Sequence, residues 1–60
     1  MTYSELKRKL TKCGCRFHHD GKNHEIWVNR EGVFMTIGRH ATEEVPKGTL
    51  RNIKKWAGMK

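Results

Sequence analysis

The sequence predicts a small α+β domain in the order α-β-β-β-α, a three-stranded antiparallel sheet with both helices on one face. Two observations carry this. Apolar residues recur at helical spacing near each end of the chain, and three segments of alternating character separated by turn signals lie between them. Sixty residues make one domain, 1–60, near the lower limit at which a chain buries enough apolar surface to fold without disulfides, metal or a partner.

The first helix begins at Thr2, whose hydroxyl and the Glu5 carboxylate three residues on form a capping box. Tyr3, Leu6, Leu10 and Cys13 make its apolar stripe, and Lys7, Arg8, Lys9 and Lys12 fall mostly on the other side. Gly14 followed by Cys15 predicts a Schellman ending, with Cys15 packing back on Leu10. Gly58 with Met59 repeats that ending, so a second helix runs from about Gly48 to Ala57 on a Leu50, Ile53, Ala57 stripe, entered after Pro46.

Cys15–His19, Asn23–Asn29 and Val33–Ile37 read as the strands of a meander. With Asp20-Gly21 as a two-residue loop, Phe17 faces His24, Cys15 faces Ile26, and Arg16 faces Glu25 as a charge pair. Cys15, Phe17, Ile26, Val28, Val33, Met35 and Ile37 then form the helix-covered face, with Arg16, His18, Glu25, Trp27 and Thr36 on the other. This element order, with both helices on one face, is that of double-stranded-RNA-binding domains. Fold alone does not give function.

Thirteen Lys and Arg against six Asp and Glu give a formal charge of +7, a field that points to a polyanionic partner, nucleic acid first. A membrane surface is disfavoured, because it calls for a basic helix with a broad apolar face longer than those here, and no apolar run approaches the roughly 20 residues that span a bilayer. With no signal-peptide pattern, the expected location is cytoplasmic. Cys13 and Cys15 are read as reduced thiols, since a Cys-x-Cys disulfide closes a strained ring.

Four histidines could carry chemistry. His18 and His19 flank a turn and suit solvated or phosphate-contacting roles, and His40 a structural or RNA-contacting one. Zinc on Cys13, Cys15, His18 and His19 is disfavoured: Cys13 belongs to a helix stripe and the two histidines point to opposite faces of a strand. No metal and no small-molecule cofactor is expected. His24 sits one register in from the Gly21 turn, half-sheltered at the rim of the helix-covered face. There it is either a hydrogen-bonded core histidine or a base that takes a proton near neutral pH. Trp56, just off the second helix's stripe, suits a partly buried anchor, and Trp27, facing outward in this register, could stack on RNA or pack against a partner.

The runs Gly21-Lys22-Asn23-His24-Glu25-Ile26-Trp27, Met35-Thr36-Ile37, Arg39-His40 and Pro46-Lys47-Gly48-Thr49-Leu50-Arg51-Asn52-Ile53, with Ala57-Gly58-Met59, resemble the HicA family of toxins from prokaryotic toxin–antitoxin pairs. The resemblance covers about Ser4 to Met59, and the Lys-Gly-Thr-Leu-Arg run is its most specific part. The family usually has Gly-Ser-His where this chain has Gly21-Lys22-Asn23-His24, and often Pro where it has Gly38. What the resemblance implies is a ribosome-independent mRNA interferase with one essential histidine at the position of His24, paired with a HicB-type antitoxin that covers the site. Lys22, Lys47, Thr49 and Arg51, with the free amides of the second helix, are the expected RNA contacts. Two other readings share the charge: a non-catalytic RNA-binding module, and an interaction protein whose basic surface serves only an acidic partner.

Overall fold

In a computed structural model, which describes residues 1–59, α1 (Tyr3–Lys12) leads into β1 (Arg16–Asp20), β2 (His24–Val28) and β3 (Phe34–Gly38), and α2 (Lys47–Ala57) closes the chain. The sheet is antiparallel in the order β1-β2-β3. The α-β-β-β-α order expected from the sequence is the observed one.

The helix ends follow their local chemistry. Thr2 and Glu5 form the reciprocal capping box of α1. At its other end Gly14, at φ 91°, lets the Cys15 amide donate to Leu10 O at 2.9 Å and its own amide to Thr11 O at 3.2 Å, the two bonds of a Schellman ending. Gly58, at φ 74°, does the same for α2, with Met59 N to Lys54 O at 2.9 Å and Gly58 N to Lys55 O at 3.3 Å. Pro46 caps α2 without a side-chain hydrogen bond, and the helix starts at Lys47, one residue before the expected Gly48.

Leu6 and Leu10 from α1, Ile53 from α2, Cys15, Trp27 and Ile37 from the sheet side, and Val45 form the core. Both helices therefore bury their stripes against one sheet face. Val45 lies in the stretch between β3 and α2, where its polar neighbours leave no periodic apolar signal.

The register differs from the expected one, and this changes which residues face the helices. Phe17 pairs with Trp27 rather than His24, and Arg16 with Val28 rather than Glu25. The hairpin loop is longer than Asp20-Gly21: Asp20 pairs with Glu25, and the Gly21 amide closes the turn on His24 O at 2.7 Å. Moving the pairing by three positions, an odd number, turns β2 over. Trp27 is thus buried, at 6% exposure, with Glu25 on its side. Ile26, Val28 and, by alternation, His24 lie on the open face. The register shifts by one further position at His18, where β1 bulges so that His19 pairs with Ile26. Phe17 shares Trp27's side and meets its ring edge-on at 6.3 Å, yet remains 48% exposed at the sheet edge; Val33 is 51% exposed.

The charge pairing is rearranged accordingly. Glu25 accepts from Trp27 Nε1 at 3.0 Å and pairs with Lys7 Nζ of α1 at 3.1 Å, so the pair expected with Arg16 does not form. Burial raises the pKa of Glu25, but the Trp27 and Lys7 hydrogen bonds and the Lys7 charge outweigh it, and the carboxyl titrates below its ordinary value of 4.5. A carboxylate with a lowered folded pKa adds stability above the unfolded value and loses it as pH falls through the folded one. Urea-denaturation stability should therefore decline on acidification below about 4.5, and decline less in Glu25→Gln. The same acid dependence in both proteins would assign the effect to other carboxyls, such as Glu5, which its Thr2 hydrogen bonds also hold low.

At the β2–β3 turn, Asn29 Oδ1 accepts from the amides of Glu31 at 3.0 Å and Val33 at 2.9 Å while its Nδ2 donates to Trp56 O at 2.8 Å. Trp56 Nε1 in turn donates to Val33 O at 2.8 Å. The partly buried Trp56 is thus the anchor that ties α2 to the sheet.

Candidate nucleic-acid interface

The turn that presents His24 is built for close approach. A Cβ at Gly21 would lie 2.8 Å from His24 O, so a side chain there would push the histidine's own backbone away. Arg39, just after β3, clamps the same turn, donating from Nη2 to Gly21 O at 2.8 Å and lying 3.3 Å from Asp20 Oδ1. Because His24 pairs with Gly38, this clamp brings the segment after β3 against the β1–β2 loop.

The result is a shallow depression lined by Lys22, Asn23, His24, Gly38, Arg39 and His40. Its lining holds two permanent cations and two imidazoles and no carboxylate, a combination suited to an anionic ligand. His24 is exposed at the start of β2, so the expectation of a half-sheltered histidine on the helix-covered face is corrected on both counts: the longer hairpin loop together with the bulge at His18 reverses the face, and the ring lies in solvent. An exposed imidazole is open to a large ligand.

The other expected contacts lie elsewhere. Lys47 and Arg51 line a separate depression on α2 with Leu50, Lys54, Lys55 and Met59, which shares no residue with the first. Thr49 is exposed on α2 outside both linings. Arg39 carries no site role in the sequence alone and His40 only a structural or RNA-contacting one; the signal is their place in the Arg39-His40 run directly after β3, opposite the His24 turn once the strands pair.

A family model described as HicA toxin of bacterial toxin-antitoxin matches residues 3–59. The chain belongs to the HicA toxin family. It is therefore the toxin component of a toxin–antitoxin system, and a cognate antitoxin is its partner. No curated protein and no solved structure matches it.

In this HicA-family chain no three His, Cys, Asp or Glu side chains among the described residues are grouped to hold a metal ion. Cys13 and Cys15 are free thiols, and burial raises the Cys15 pKa, which keeps that thiol protonated. Among the described residues no helix is long and apolar enough to cross a membrane. His18 and His19 stand together on β1, their Nδ1 atoms 2.6 Å apart, so that one ring donates to the other. Trp27, being buried, offers no stacking face to RNA.

Proposed function

We propose that this HicA-family toxin is a cytoplasmic, ribosome-independent and metal-independent endoribonuclease that cuts mRNA with His24 as general base, and that a HicB-type antitoxin neutralises it by covering the His24 depression. The observation that carries the reading is the accessible imidazole of His24 set among Lys22, Arg39 and His40 with no acid in the lining.

RNA brings its own nucleophile. The protein has to take the proton from the 2′-hydroxyl, hold the phosphate in line with the departing 5′-oxygen and offset the charge that develops on it. His24 takes the proton. Lys22 and Arg39 face the phosphate as fixed cations, and Arg39, held by Gly21 and Asp20, is the pre-positioned one. The new 2′-oxygen–phosphorus bond forms as the bond to the 5′-oxygen breaks, and the departing oxygen takes a proton from solvent, leaving a 2′,3′-cyclic phosphate and a 5′-hydroxyl. Lys47, Thr49 and Arg51 on α2 bind more distant phosphates or the antitoxin.

Product ends test this directly. Purified protein in excess EDTA should yield fragments that resist 3′-end ligation until the cyclic phosphate is removed. Recovery of 3′-hydroxyl ends, or a strict need for divalent metal, would overturn the chemistry, and binding without cleavage would favour the non-catalytic RNA-binding module.

A further inference from the structure

The open face of the sheet carries a feature the catalytic reading does not use. Arg16, Val28 and Phe34 occupy one row across the three strands, by the pairings Arg16–Val28 and Val28–Phe34. Phe34 is 55% exposed, the largest exposure among the big apolar side chains, on a face that neither helix covers. His18 meets it edge-on, ring centroids 4.9 Å apart at 82°, and is itself held by His19. Beside this pair a depression lined by Gly14, Arg16, Phe17, His18, Val28 and Arg30, with Asn29, again contains two arginines and no carboxylate. The exposed Phe34 ring, the His18 ring against it and the arginines of this depression thus share one surface. Flat rings beside guanidinium groups are how single-stranded nucleic acid is held: bases stack on the rings and phosphates pair with the cations.

We propose that the open sheet face is a binding platform for single-stranded RNA, with a base stacked on the Phe34 ring, which His18 braces edge-on, and the adjoining phosphates on Arg16 and Arg30. The inference rests on the endoribonuclease reading and specifies the form of its substrate. His24 and Val28 lie at opposite ends of β2. Four residues of strand span about 13 Å, the length of about four stacked nucleotides. A strand whose cut bond lies at His24 reaches the Phe34 row within that distance, so substrates need unpaired nucleotides for about four positions to one side of the cut. A duplex cannot use the platform, because its bases present no free faces. An acidic protein would satisfy the arginines but has no particular use for ring faces, whereas RNA uses both.

The test is binding of a 2′-O-methyl RNA 12-mer, which lacks the nucleophile and is not cut, as a single strand and as a duplex, followed by fluorescence anisotropy. Wild type should prefer the single strand. Phe34→Ala and Phe34→Leu should each weaken single-strand binding by about fivefold or more, and Phe34→Tyr should restore it, since Tyr keeps the ring face and Leu only the apolar bulk. Arg16→Ala should flatten the slope of log affinity against log salt by about 0.7. Phe34 and Arg16 are exposed, and circular dichroism should show all four variants folded. Unchanged RNA affinity in Phe34→Ala overturns the platform while leaving the catalytic reading standing. So does a loss confined to antitoxin binding, which would assign the face to that protein. No RNA binding by the wild type would overturn the endoribonuclease reading itself, and the platform with it.

Discussion

His24→Ala should lose RNA cleavage by about 10²- to 10⁴-fold, the usual contribution of a positioned general base, while its unfolding curve stays within about 0.5 kcal/mol of wild type. The two halves of this result belong together. The His24 side chain is exposed and accepts or donates no side-chain hydrogen bond among the described residues, so its removal withdraws no packing. What fixes the residue is backbone: the Gly21–His24 turn and the pairing with Gly38 survive truncation to alanine. The measurement is cleavage of a long mRNA in EDTA, both proteins checked by circular dichroism. Equal cutting by the two would move the base to His40, which shares the depression, and cutting by neither would leave an RNA-binding module.

Trp27→Ala should have the largest effect on stability, about 3–5 kcal/mol. A 60-residue domain has only about 3–9 kcal/mol to lose, so the variant should be largely unfolded near physiological temperature. The residue does two jobs. Its ring fills the core between Leu6, Leu10, Ile37 and Ile53, and its Nε1 holds the Glu25 carboxylate that Lys7 of α1 also grips. Trp27→Phe keeps most of the volume and withdraws one hydrogen bond, about 0.5–3 kcal/mol, so it should still melt cooperatively. A Trp27→Ala protein that melts within a few degrees of wild type would show that the residue faces solvent, and would restore the two-residue hairpin.

That contrast marks where the sequence was legible. The helix limits could be read because each is decided by a few adjacent residues: Thr2 with Glu5, Gly14 with Cys15, Gly58 with Met59. The three strands could be read because alternation is also local. Their faces could not, since alternation fixes which residues lie together but not which set is inward. Here the choice fell to the hairpin loop, closed by Gly21 on His24 and clamped by Arg39 from beyond β3. An apparent Arg16–Glu25 pair favoured the wrong loop; Glu25's real cation, Lys7, is in another element. His24 is singled out only through resemblance, because an exposed histidine carries no distinguishing pattern. Arg39 and His40 join it through strand pairing, which no local spacing reveals.

The first residues of the chain are bound to the segment before α2. Tyr3 N donates to Glu43 O and Ser4 N to Ala41 O, each at 3.0 Å; Val45 N donates to Met1 O at 2.9 Å, and the terminal amine meets Glu44 at 2.8 Å. These partners are about forty positions apart, so the leading helix, though capped locally, is not fastened to the segment before α2 until they exist. Such distant closures are slow to find compared with the adjacent pairings of the meander. During synthesis the amino end must therefore wait, at roughly 5–20 residues per second, until Val45 and then Ile53 have left the ribosome before the core can close. The fold can therefore close only once α2 has been made.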